Sequence, residues 1–185
     1  MNFTLGFPPH QTLLLIIDVQ EKLVKAMTDF DACRKRLLQA VRAAAELGVE
    51  IMVSEQYPDG LGGTIPELRE ALPPQTPTHA KTAFSCWGCP PLAAAMQAGG
   101  WRCLVLAGME THVCVQQTAL GALKRGSRVA VLADAVISRD ENNRRPALEL
   151  MRHEGAVITT VEAMVFDWMI DASHPRFKAV SKLFR

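Results

Sequence analysis

Residues 13–18, Leu-Leu-Leu-Ile-Ile-Asp, are an unbroken apolar run closed by an acid, the pattern of a strand buried on both faces. Residues 32–47 carry Leu37, Leu38, Val41, Ala44 and Ala45 at helical spacing, and Gly48 follows as a helix-ending residue. The two patterns then alternate. Strands are predicted at 49–54, 78–81, 103–107, 128–134 and 156–160, with a glycine-rich loop at 57–64 and a short helix at 65–72. Pro90 and Pro91 suit the first turn of a helix that Gly99 and Gly100 end. Further helices are predicted from the 108 turn to about Arg125, at 143–154 and at 161–170, the last apolar around much of its circumference.

Strands that alternate with helices, most of them apolar runs, predict an α/β fold with a parallel sheet covered on both faces. In such open sheets ligands bind beyond the carboxyl ends of the strands, at the point where strand order reverses. Asp18 closes strand one, Lys81 follows strand three and Cys114 follows strand four, so all three belong on one edge of the sheet.

A chain of 185 residues suits one domain, 1–185, with a substantial core. A net charge of +1, with no basic run interleaved with aromatics, predicts no nucleic-acid partner. No apolar stretch approaches bilayer length, and residues 1–10 lack the pattern of a secretory leader, so neither a membrane partner nor export is expected. Five cysteines form no disulfide framework, which fits reduced thiols and a cytoplasmic location.

Cys114 stands in Leu104-Val-Leu-Ala-Gly-Met-Glu-Thr-His-Val-Cys114, a strand that turns at Gly108 into a helix. The first helical turn offers unpaired N–H groups and the positive end of the macrodipole, which favour thiolate over thiol. Thiolate is the nucleophilic form, so Cys114 is a candidate covalent catalyst, with a buried apolar cysteine as the bland alternative. A strand-end aspartate can equally cap a helix, and a lysine after a strand is commonly solvated; their shared edge favours a joint catalytic role.

Over nearly its whole length the chain resembles the isochorismatase-like cysteine hydrolases. The matching pieces are Ile16-Ile-Asp-Val-Gln20, Ala80-Lys-Thr-Ala-Phe-Ser85, Gly108-Met-Glu-Thr-His-Val-Cys114 and Asp134-Ala. The segment from Ser54 to Glu67 looks most like the branch of isochorismatase-domain-containing proteins. The resemblance implies a three-layer α/β/α sandwich with a six-stranded parallel sheet and a catalytic triad of Asp18, Lys81 and Cys114. It implies a cis peptide between Met109 and Glu110, and an oxyanion hole made by the N–H groups of Glu110 and Cys114. Asp18 would act as general base and then acid, and Lys81 would hold its carboxylate ionised and oriented. The thiolate would attack an acyl carbon, and water would resolve the thioester. A homo-oligomer acting on a small-molecule substrate is the implied form.

The nicotinamidases of that family carry a histidine-containing metal site after strand two. Residues 54–64 hold Glu55 and Asp59 but no histidine, so no metal and no cofactor are expected. Isochorismatases proper lack the cysteine nucleophile, which weighs against that vinyl-ether substrate and leaves an amide-type C–N bond. Gln20, Tyr57, Phe84 and Trp87 are candidate pocket residues, His112 a packing or rim residue, and Gly60-Leu-Gly-Gly63 a flexible lid. Two readings of other classes stay open. One is an oligomeric binding or scaffold protein with a residual triad, which the apolar last helix would serve; the other is redox exchange by Cys86 and Cys89.

Overall fold

A computed structural model of the chain describes residues 4–185; Met1 to Phe3, part of the segment read as lacking a leader, lie outside the described residues. The strands are Thr12–Ile17 (β1), Glu50–Gln56 (β2), Thr78–Lys81 (β3), Cys103–Met109 (β4), Arg128–Ile137 (β5) and Val157–Thr159 (β6). Among the described residues they form one six-stranded sheet, ordered β3-β2-β1-β4-β5-β6, with every adjacent pair parallel. The helices are Phe30–Leu47 (α1), Pro58–Leu61 (α2), Pro66–Ala71 (α3), Pro90–Ala98 (α4), Gln116–Lys124 (α5), Glu141–His153 (α6), Val161–Met169 (α7) and Phe177–Ser181 (α8).

The unbroken apolar run of β1 has a simple cause. Leu14 and Ile16 pack with Leu37 and Val41 of α1 and Met164 and Trp168 of α7. Leu13, Leu15 and Ile17 face the other way, with Leu92 and Met96 of α4, Ala119 of α5 and Met151 of α6. Successive side chains of a strand point to opposite faces, so a strand between two helical layers is apolar at every position. Each such leucine or isoleucine contributes about 1.5–3 kcal/mol through burial. Among the described residues no helix is long and apolar enough to cross a membrane.

β5 and the carboxyl-terminal segment differ from the sequence reading. β5 does not end at residue 134 but runs to Ile137 through a shift in its register with β4, between Leu106 and Gly108. Arg144 explains how the irregularity is held: it donates to the carbonyls of Val136 and Ala133, groups that a regular ladder would satisfy. Asp134 inside that bulge is a structural residue, accepting from the N–H of Val161 at 2.8 Å and pairing with Arg36 at 3.3 Å. The carboxyl-terminal segment adds α8 and a 3-10 turn over Lys182–Phe184, which the apolar pattern did not suggest. Phe177 and Phe184 lie against Phe166 of α7, each ring centroid 6.1 Å away. This covers part of the helix face on which the scaffold reading rested.

Candidate active site

Strand order reverses at β1, which has β2 on one side and β4 on the other. Asp18 leaves the end of β1 at that point with φ of 54°, a left-handed conformation that aspartate tolerates better than most residues. Its N–H donates to the carbonyl of Ser54 at 3.0 Å, and its own carbonyl accepts from Gln20 at 2.9 Å. β4 comes very close here. A Cβ on Gly108 would lie 2.0 Å from the Ile17 carbonyl oxygen, and Gly108 itself has φ of 115°, so only glycine fits. That approach brings the end of β4 beside Asp18.

Lys81, the last residue of β3, reaches under β2 to the same carboxylate. Its Nζ lies 2.7 Å from Asp18 Oδ2, with both side chains 0% exposed. The ammonium has three protons to place. One goes to Asp18, one to Gln56 Oε1 at 2.7 Å, and the carbonyls of Ala83 and Phe84 take the remainder at 3.3 and 3.2 Å. Burial works against the Lys81 charge, but the Asp18 carboxylate, with smaller help from Cys114 and Cys86, outweighs it and holds the amine above its ordinary range. The lysine is a fully engaged cation.

Cys114 enters from β4 through a turn wider than an α-helix. The N–H groups of Val115 and Gln116 donate to carbonyls five residues back, those of Glu110 and Thr111, so residues Thr111–Val115 make a π-helical turn. The Met109–Glu110 peptide bond before it is cis. The Cys114 thiol, 6% exposed, lies near enough to Asp18 and Lys81 for both charges to act on its proton. Asp18, Lys81 and Cys114 are thus brought into one buried cluster.

The protonation of that thiol reverses the expectation from its helix position. Burial, then the Asp18 charge, push the Cys114 thiol far up, and Lys81 offsets only part of this. A dipole acts on a group that keeps its solvation; here the low-dielectric surroundings dominate. At neutral pH Cys114 therefore rests as a thiol.

The other candidates divide. Tyr57 is 55% exposed and, with Cys89 and Lys81, lines a cleft of about 510 Å³ at the β3 edge. Phe84 is exposed, and its backbone serves Lys81. Gln20 is not a pocket residue: its amide donates to the carbonyls of Gln56 and Gly62 and accepts from the Gln56 N–H. Trp87 packs on α5, its indole donating to the Thr118 carbonyl at 3.1 Å under the Arg125 guanidinium. His112 pairs with Ser138 at 3.0 Å, and Glu110 accepts from Arg139.

The glycine-rich loop read as a lid is held by hydrogen bonds along its length. α2 and its flanks are tied down by Lys22 to the Gly60 and Leu61 carbonyls, by Glu21 to Gly63, and by Glu55 to Thr64. Cys86 and Cys89 are free thiols turned to different partners, Ser54 Oγ at 3.7 Å and the Ala80 carbonyl at 3.5 Å. Among the described residues no group of three His, Cys, Asp or Glu side chains is placed to hold a metal ion.

Two participants escaped the sequence reading, Ser54 and Gln56. Ser54 Oγ donates to Asp18 Oδ1 at 2.7 Å. The signal was present: β2 ends on the same sheet edge as β1, so its last polar residues belong beside Asp18.

The buried thiols imply a pH dependence of stability. Burial pushes Cys33 to about 12 and Cys86 to about 11. A thiol that keeps its proton longer in the folded chain contributes fully below the unfolded value, near 8.5, and that contribution is lost as pH rises above it. Each such group costs about 1.4 kcal/mol per pH unit until its folded value is reached. Urea unfolding midpoints should therefore fall steeply between pH 9 and pH 11; a midpoint flat across that range contradicts the assignment.

Residues 12–163 match the family model described as the isochorismatase domain. The chain belongs to the isochorismatase family. Isochorismatase domain-containing protein 1 of Danio rerio is 39% identical over 187 aligned positions, covering 98% of this chain and 64% of that protein. The chain thus spans less than two thirds of that relative. Isochorismatase domain-containing protein 2 of Rattus norvegicus is 36% identical, over 96% of this chain and 82% of the relative. Both relatives bear out the branch suggested by residues 54–67. Among solved structures, MAR1 ribonuclease from Caenorhabditis elegans superposes with a TM-score of 0.90 at 38% identity, over 95% of this chain and 90% of its own. YcaC from Pseudomonas aeruginosa, solved with hexane-2,5-diol and covalent acrylamide, gives 0.90 at 26%, over 98% and 93%. YcaC from Escherichia coli, described as an octameric hydrolase of unknown specificity, gives 0.90 at 25%, over 98% and 89%. These neighbours share the α/β architecture of the isochorismatase family with this chain.

Proposed function

We propose that the protein is a cofactor-free cysteine hydrolase that cleaves the C–N bond of a small amide through a thioester on Cys114. Asp18 takes the thiol proton as sulfur attacks the carbonyl carbon, and the N–H groups of Glu110 and Cys114 receive the oxyanion. The C–N bond breaks as Asp18 returns the proton to the departing amine. A water then attacks the thioester, Asp18 taking its proton, and the acid leaves as the thiol is restored. Lys81 keeps the carboxylate in place throughout.

What supports this reading most is the Asp18–Lys81 ion pair at 2.7 Å, buried in one cluster with a Cys114 thiol on whose proton both charges act. Nucleophile, base and orienting group meet there in the order that acyl transfer requires. The acrylamide attached in the YcaC neighbour, an electrophilic amide, is a molecule of the kind a thiol takes. Homo-oligomeric assembly belongs to the same reading, on the octameric neighbour, and a monomeric mass by light scattering removes it.

The 38% identity to a protein named as a ribonuclease favours a second reading, phosphodiester cleavage. It fits the site less well, because a buried thiol beside a carboxylate is suited to a carbonyl carbon rather than to an anionic phosphate, and the net charge is only +1. The test is incubation with p-nitrophenyl acetate followed by intact and peptide mass spectrometry. One acetyl group should appear on Cys114, and none in Cys114→Ala. A small-amide library assayed for released amine then seeks the substrate. An unmodified Cys114, or RNA cleavage abolished by Cys114→Ala, overturns the amidase assignment.

A further inference from the structure

Asp18 is held at both oxygens, and only one of the two holders belongs to the proposed triad. Lys81 takes Oδ2. Ser54 Oγ takes Oδ1 at 2.7 Å, with both residues 0% exposed. A carboxylate pinned at one oxygen can still turn about its Cβ–Cγ bond, a torsion with broad minima. Pinned at both, its plane is fixed, and so is the direction in which its remaining lone pairs point.

The Ser54 hydroxyl has a single proton, and its surroundings commit that proton to Asp18. The Cys86 thiol, 0% exposed, lies 3.7 Å from Ser54 Oγ and donates to it. Cys86 is anchored in turn by its N–H to Thr118 Oγ1 at 3.0 Å. Ser54 is also tied to Asp18 through the backbone, its carbonyl accepting the Asp18 N–H at 3.0 Å. The chain from Cys86 through Ser54 to Asp18 therefore runs in one direction, from thiol to hydroxyl to carboxylate. Cys86 is a buried nucleophile type that the proposed chemistry leaves unused, and this contact gives it a place.

Resting on the hydrolase reading, we infer that Ser54 is a positioning residue for the proposed reaction. It fixes the Asp18 carboxylate so that its free lone pair faces the Cys114 thiol and, later, the attacking water; Cys86 fixes the Ser54 rotamer. Nothing in this role requires Ser54 to touch the substrate. Its effect passes entirely through Asp18.

That dependence is measurable in a double-mutant cycle. The probe is p-nitrophenyl acetate, and the readout is the lifetime of acetyl-Cys114 by time-resolved intact mass. Ser54→Ala should lengthen that lifetime about tenfold in the wild-type background, the loss of one hydrogen bond to a charged group. In an Asp18→Asn background the same substitution should change it less than twofold. Ser54→Thr, which keeps the hydroxyl, should restore it to within about threefold. Thermal melts of each variant accompany the kinetics, and the Thr variant keeps the question answerable if Ser54→Ala folds poorly. A merely structural role slows deacylation alike in both backgrounds, and that result overturns the inference. So does an unchanged lifetime in Ser54→Ala while Asp18→Asn prolongs it, which leaves the hydrolase reading standing. If Cys114 never acetylates, or Asp18→Asn has no effect, the hydrolase reading falls and takes the positioning role with it.

Discussion

Lys81→Met is expected to lower the unfolding free energy by about 3–5 kcal/mol, the cost of leaving a buried charge without its partner. Methionine keeps the length and apolar stem of the side chain but removes the ammonium. Asp18, 0% exposed, would then retain only the Ser54 hydroxyl as a side-chain donor from the protein, and Gln56 Oε1 would lose its own donor as well. For a chain of this size the loss corresponds to a fall in melting temperature of roughly 6–20 °C. The double variant Asp18→Asn/Lys81→Met removes both charges while keeping a residue that suits the left-handed backbone, and it should recover most of that loss, because replacing a buried pair is far cheaper than breaking it. Differential scanning calorimetry of the three proteins decides the matter. A single variant as stable as the wild type would mean that water reaches the carboxylate.

The sheet and the edge that gathers Asp18, Lys81 and Cys114 were legible because they depend on patterns a sequence displays directly. Apolar runs mark strands buried on two faces, and the polar residue that ends each run marks the edge where side chains can converge; Asp18, Lys81 and Cys114 were all placed that way. β5 escaped its true length because the bulge is stabilised from a distance, by Arg144 on α6 supplying donors that no local pattern announces. The π-helical turn was hidden for a related reason. Its extra residue per turn is set by how the Glu110 and Thr111 carbonyls meet later N–H groups, and the residues from 111 to 115 are equally compatible with an α-helix. Gln20 looked like a pocket residue because it follows Asp18, yet its amide is consumed in holding the 57–64 loop. The protonation of Cys114 was the deepest error. Sequence position supplies a dipole, but burial and a neighbouring carboxylate are tertiary facts, and they dominate.

That correction shapes the outcome expected for Asp18→Asn. The Asp18 charge is one of the causes that push the Cys114 thiol up, second to burial, while Lys81 pulls it down. Removing the charge leaves the lysine as the thiol's charged neighbour, so thiolate becomes easier to form and attack on an activated ester survives. The water that must resolve the thioester has no such help, because no base remains to take its proton. Loss of a general base costs about 10²–10⁴-fold in the step it serves. Asp18→Asn should therefore still release p-nitrophenolate in a burst of about one equivalent and then stall as acetyl-Cys114, with steady-state turnover down by about that factor. Stopped-flow absorbance gives the burst, and intact mass gives the stalled adduct. An Asp18→Asn protein without a burst would show that acylation itself needs the carboxylate and would overturn this expectation; one that turns over normally would remove it from the chemistry. The neutral thiol thus makes a demand that a resting thiolate would not, since its proton must have somewhere to go, and in this cluster the carboxylate at the end of β1 is the acceptor within reach.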